Sequence, residues 1–189
     1  MVPAIELVLV VVLAGIAAVA YFVFASFAYG AGYQPTPRRS VETMMRFAEL
    51  GERDTVYDLG AGTGAIVFRA ARVYRARVVA VEVEPLRVLV LRARRALGPF
   101  ADRITIRWGD FFRLNFSDAT VVTAFLWGGA MARLGPKLER ELRAGSRLVS
   151  HVHPVPGWSP EAYDAESDVY LYRFPPRRNV GAQSSTGGS

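Results

Sequence analysis

Two hydrophobic periods alternate along most of this chain. Thr55–Leu59, Arg77–Val81, Ala119–Leu126 and Ser146–Val152 are short, mainly apolar runs bounded by turn residues, the form taken by strands buried on both faces. Between them, apolar residues recur every three or four positions. Val41, Met44, Met45, Phe47 and Ala48 make one helical face, with Ser40 as N-cap and Gly51 as stop. Ile66, Ala70 and Val73 mark a helix over Ala65–Tyr74, and Pro85 opens another that runs to Leu97 before Gly98-Pro99. Pro136–Leu142 reads as a charged helix. Ile104–Trp108 and Val169–Phe174 alternate strictly, as half-exposed strands do, and the second reads as antiparallel. Strands and helices in turn, over short connections, predict a parallel sheet with helices on both faces.

The start of the chain breaks this pattern. Leu7–Tyr29 is almost unbroken apolar sequence, long enough as a helix to cross a hydrocarbon core of about 30 Å. A cleaved signal peptide, ending near Ser26-Phe27-Ala28, is the rival reading. Glu6 in place of a basic n-region and the length of the run favour an uncleaved anchor. Arg38, Arg39 and Arg46 follow it, which would place the rest of the chain in the cytoplasm, or in the matrix of an organelle. The expected organisation is a transmembrane anchor over 1–30, a catalytic domain over 31–174 and a disordered tail over 175–189. That tail is proline, arginine, glycine and serine with little to bury.

Candidate chemistry sits where the first strand ends. Val56-Tyr57-Asp58-Leu59-Gly60-Ala61-Gly62-Thr63-Gly64 reads as a buried strand closing on an acid, then a glycine turn, then a helix. Gly60 and Gly62 can take positive φ, and Gly64 allows close helix–strand packing. The third glycine arrives one position too early for a dinucleotide fingerprint, and D-x-G-x-G-x-G is a pattern of S-adenosylmethionine (SAM) sites. Glu82 ends the next apolar run about 20 residues on, where a ribose-diol ligand belongs. Asp58 is placed to attract the ammonium of the methionine moiety, and Glu82 to accept from the ribose hydroxyls. Asp110 can accept from the adenine amine, beside the Phe111 ring and backbone amide.

Composition narrows the chemistry. The absence of cysteine excludes disulfides, thiolate metal sites and a cysteine nucleophile, and with two histidines no metal site is expected. A net charge of +6 points to anionic partners. Among 23 basic residues Lys137 is the one lysine, a bias that fits a GC-rich genome.

Five motifs occur in register: Tyr33-x-Pro35-Thr36-Pro37, the glycine loop, Gly109-Asp110-Phe111-Phe112, Pro136-Lys137-Leu138, and Val149-Ser150-His151 followed by Gly157-Trp158. Together they resemble the lysine methyltransferases that act on the ATP synthase c-subunit and the adenine nucleotide translocator, and their archaeal relatives. The resemblance spans Tyr33 to Phe174. It implies a Rossmann-like, seven-strand class I methyltransferase fold with SAM as cofactor. It also implies transfer of a methyl group to the ε-amine of lysine in a protein substrate, at or near a lipid bilayer. Cofactor-binding residues implied are Thr36, Asp58, Gly60, Ala61, Gly62, Gly64, Glu82, Asp110 and Phe111. Phe125 and Trp127 would form an aromatic wall for the amine, with His151 as base or orienter and Trp158 at the mouth or in the core. The loop departs from the family pattern at Ala61, Thr63 and Ala65, which replace Cys, Asp and Arg.

Alternative readings are methylation of a small molecule or lipid, and a non-catalytic SAM-binding assembly factor. Nucleic-acid methylation is not expected, because Phe125-Leu126-Trp127-Gly128 stands where an Asn-Pro-Pro-aromatic motif would be.

Overall fold

The computed structural model describes residues 4–28 and 35–179, which fall into two units, 1–34 and 35–189. In the first, Ala4–Ala28 is a helix (α1). Among the described residues no helix is long and apolar enough to cross a membrane. This overturns the transmembrane anchor expected over 1–30, and with it the single-pass placement and the cytoplasmic or matrix orientation drawn from it. Tyr33 and Gln34 lie outside the described residues.

The second unit holds α2 (Arg38–Ala48), β1 (Thr55–Leu59), α3 (Ala65–Tyr74), β2 (Arg77–Glu82), α4 (Pro85–Leu97) and β3 (Ile104–Trp108). Then follow β4 (Val121–Ala124), α5 (Gly128–Glu141), β5 (Arg147–His151), β6 (Trp158–Ser159), β7 (Ala162–Asp164), β8 (Val169–Arg173) and β9 (Arg177–Arg178). Seven strands form one sheet in the order β3-β2-β1-β4-β5-β8-β7. The first five are parallel, and β8 is antiparallel to both β5 and β7. Strand order reverses between β1 and β4, and in such sheets ligands bind at the carboxyl ends of the strands on either side of that switch.

Two apolar layers hold the sheet. On one face, Met44 and Met45 of α2, Val67 and Ala70 of α3 and Leu91 of α4 pack on Val56, Val121 and Val149. On the other, Met131, Leu134 and Leu138 of α5 join Phe116 and Trp158 over Tyr57, Val122 and Leu148. Trp158 is therefore core, its ring edge-on to Tyr172 and Phe174 at 5.6 and 5.4 Å.

At the amino edge of the sheet, Arg147 ties three elements together. It pairs with Asp54 at 2.5 Å and donates to the Ala48 carbonyl at 2.6 Å, while Asp54 also accepts from the Thr120 hydroxyl at 2.6 Å.

Two local expectations change. Ser40 lies inside α2 and not at its cap; its hydroxyl donates to the Ser167 carbonyl at 3.2 Å, fastening α2 to the β7–β8 turn. The helix expected over Pro136–Leu142 begins eight residues earlier, at Gly128, with Pro136 in its interior. Arg177 and Arg178 pair with Ser159 and Trp158, inside the segment assigned to the tail, whose residues 180–189 lie outside those described.

Candidate active site

The glycine loop has the backbone its sequence calls for. Gly60, Gly62 and Gly64 sit at φ 74, 55 and 89°, in the left-handed region that favours glycine. The amides of Gly60 and Ala61 both donate to the Val81 carbonyl, at 2.9 and 3.0 Å, pinning the loop to the end of β2. A Cβ on Gly64 would lie 2.5 Å from the Phe68 ring and 2.8 Å from Leu91, so this glycine admits α3 and α4 to the loop.

Glu82 is buried and holds the loop from the other side. Its Oε2 accepts the Gly62 amide at 2.7 Å, and its Oε1 accepts the Val83 and Glu84 amides at 2.9 and 3.0 Å. Three of about four acceptor positions are thus filled from the protein, leaving one for a ribose hydroxyl where the sequence suggested two.

Asp58, buried at the carboxyl end of β1, accepts from the Thr123 hydroxyl at 2.8 Å. Burial pushes its carboxyl up to about 7; Thr123 pulls against this and the Glu82 charge adds to it. A cation beside Asp58 would restore its ionised form, and the ammonium of SAM is such a cation. The donor set and the bare loop therefore fit SAM. Sequence reasoning missed Thr123, although a hydroxyl inside an apolar strand run is the kind of signal that marks a buried partner.

Asp110 is exposed and caps the short 3-10 turn Phe111–Arg113, accepting the Phe112 amide at 2.9 Å. Phe111 is half-buried, its ring 4.5 Å from that of Phe112. Thr36 is half-buried just before Pro37, the residue that opens α2.

Beyond β4 and β5 the expected aromatic wall divides. Phe125 is half-buried and meets the His151 ring edge-on, centroids 4.3 Å apart. Trp127 is exposed and lies 5.7 Å from His153. Between the two histidines Val152 takes φ 67°, with the His153 amide donating to the His151 carbonyl at 2.8 Å. A β-branched residue in this region is an outlier, and the tight reversal sets where the two imidazoles go.

Lys137 lies in α5, pairs with Glu141 at 2.5 Å and sits over the Phe116 ring at 5.0 Å, and so serves the fold. Among the described residues no group of histidines and carboxylates could hold a metal.

Residues 58–162, from the first acid through the glycine loop to β7, match the ANTKMT methyltransferase domain. The chain belongs to this family. It is an S-adenosylmethionine-dependent methyltransferase with the seven-strand Rossmann-like class I fold. A protein-lysine N-methyltransferase of Saccharolobus islandicus is 38% identical over 147 residues, covering 74% of this chain and 91% of that protein. The adenine nucleotide translocase lysine N-methyltransferase of Mus musculus is 26% identical over 142 residues, covering 75% of this chain and 62% of its own length. Among solved structures, an RNA methyltransferase of Salinibacter ruber in complex with S-adenosyl-L-homocysteine is 39% identical. It covers 74% of this chain and 93% of that one, with a TM-score of 0.71.

Proposed function

We propose that this enzyme transfers the methyl group of SAM to the ε-amine of lysine in a protein substrate. The observation that carries the reading is the likeness to the archaeal protein-lysine N-methyltransferase over nearly all of that protein's length. SAM supplies a methyl carbon already activated by positive sulfur. The chain's part is to hold the amine in line with it and keep the amine neutral, and position alone accounts for several kcal/mol of such a barrier. Asp58 and the loop of Gly60, Ala61, Gly62 and Gly64 receive the methionine end, with Thr36 closing over it. Glu82 takes a ribose hydroxyl, and Asp110 and Phe111 flank the adenine. Phe125, Trp127 and His151 face the substrate, since an apolar, partly buried mouth disfavours the charged form of an entering amine.

A second reading, methylation of RNA, draws on the likeness to the Salinibacter ruber RNA methyltransferase and on the net charge of +6. Against it, the carboxyl end of β4 offers Phe125, Leu126 and Trp127, with no amide side chain to hold the amino group of a base.

Labelled methyl transfer from SAM decides between them. Purified enzyme is given denatured cytochrome c and total transfer RNA in one reaction, with Asp58→Ala as control. Label in protein, with lysine peptides gaining one to three methyl units, is the expected result. Label confined to RNA would refute the lysine assignment.

A further inference from the structure

We propose that His151 Nδ1 receives the substrate amine and takes the proton that nitrogen sheds on methylation. The inference rests on the lysine reading above and gives it a proton acceptor.

Alternation along the strands places the group. Val56, Val121 and Val149 pack in the layer beneath α2 and α3, so Asp58, Thr123 and His151, each two residues on, share that face, and Phe125, just past the end of β4, lies against His151. Asp58 and Thr123 are bonded at 2.8 Å across β1 and β4. One pleat repeat nearer the carboxyl edge, about 6.6 Å along the strands, comes His151. The acid facing the cofactor's ammonium and the imidazole thus lie in adjacent rows of one face, with the Phe125 ring against the imidazole.

His151 is only 5% exposed, and its Nδ1 has no hydrogen-bond partner among the described residues. Buried polar atoms are nearly always paired, and one left open at a site's edge is a place for a ligand. The Val152 turn holds the ring there: its amide donates to the Asp168 carbonyl at 2.8 Å while the His153 amide closes back on His151.

The surroundings keep the imidazole an acceptor. Burial holds it below the ordinary histidine range and His153 adds to that, while Asp168 and the Ser167 backbone pull it up. Three charges of α2, which packs on the same face, are directed elsewhere, Arg39 to Glu166, Glu42 to Arg69 and Arg46 to Asp164, and the fourth, Arg38, stands exposed at the first position of the helix. In the transfer, the amine lone pair forms the new nitrogen–carbon bond and the carbon–sulfur pair stays with sulfur. The surplus proton on nitrogen passes to Nδ1, and the imidazolium releases it to water.

Two measurements test this. His151→Asn keeps a polar atom near the position of Nδ1 but cannot take a proton. With denatured cytochrome c, its kcat should fall on the order of 100-fold, while KM and the SAM Kd stay within about twofold. The wild-type acidic limb of kcat, lying below the ordinary histidine range, should vanish. An unchanged kcat and limb would overturn the proposal and leave lysine methylation by the wild type intact. The second measurement holds even if the variant misfolds or no lysine is methylated. With only two histidines in the chain, nitrogen NMR resolves both rings, and His153→Asn assigns them. n-Butylamine added to wild-type protein with S-adenosylhomocysteine, at about pH 9 where more of the amine is neutral, should shift the His151 Nδ1 signal. No shift at saturation would refute the role independently of turnover.

Discussion

The Thr123 hydroxyl donates to the Asp58 carboxylate at 2.8 Å, bridging β4 and β1 at the point where the strand order of the sheet reverses. This bond partly offsets the burial that pushes Asp58 up to about 7. A carboxyl raised above its unfolded value contributes stability that is complete below the unfolded value, near 4. That contribution is lost as pH rises through about 7. The cofactor-free enzyme should therefore lose stability between about pH 4 and pH 7 on account of this group. SAM binding should tighten over the upper part of the same range, because an ammonium favours the ionised form. Thermal melts with and without S-adenosylhomocysteine should show a larger ligand-induced rise at pH 8 than at pH 6. Asp58→Asn should raise the melting temperature of the cofactor-free protein at pH 8 while abolishing the ligand effect.

Glu82 clamps the glycine loop. Its carboxylate takes amides from Gly62, Val83 and Glu84, and hydrogen bonds to a charged group are each worth about 1.5–3 kcal/mol. Glu82→Gln turns one acceptor into a donor facing an amide. Amide exchange at Gly62, Val83 and Glu84 should accelerate by on the order of 100-fold, as one such bond implies. The SAM Kd should rise in parallel, measured by calorimetry. Weakened binding with unchanged exchange would show that the loop stands without the clamp.

Gly64→Ala should cost about 2–4 kcal/mol. It combines a left-handed backbone with a methyl group 2.5 Å from the Phe68 ring. Urea denaturation checks the size, and Phe68→Leu in the same chain should recover part of the loss by opening the contact.

Arg147 gives the opposite signature. Its pairing with Asp54 and the Ala48 carbonyl lies at the amino edge of the sheet, away from the glycine loop. Arg147→Met should destabilise the fold by about 2–4 kcal/mol, because Asp54 is left mostly buried and short of its cation. The SAM Kd at temperatures where the variant stays folded should not change.

How far sequence reached depended on how local each decision was. β1, α3, α4 and β3 begin and end where glycine, proline and the apolar period place them, since caps and breakers act within a few residues. The left-handed conformations of Gly60 and Gly62 follow in the same way, whereas that of Gly64, expected only to allow close packing, came with the fold. Long-range contact decided the rest. Pro136 reads as the start of a helix, yet α5 begins at Gly128 and runs through it, with Gly135 letting the helix close on Val155, which a Cβ there would meet at 2.8 Å. Burying Met131, Leu134 and Leu138 against the sheet outweighs the poor local propensity there. Ser40 reads as a cap, yet its hydroxyl is taken by Ser167 from 127 residues away. The composition of Leu7–Tyr29 reads as a membrane span, but composition alone does not supply a described helix long and apolar enough to cross. Residue types singled out Asp58 and Glu82 as candidate acids. Only the folded sheet could assign their partners, because Thr123 reaches Asp58, and Gly62 reaches Glu82, across strands that meet nowhere in the linear order.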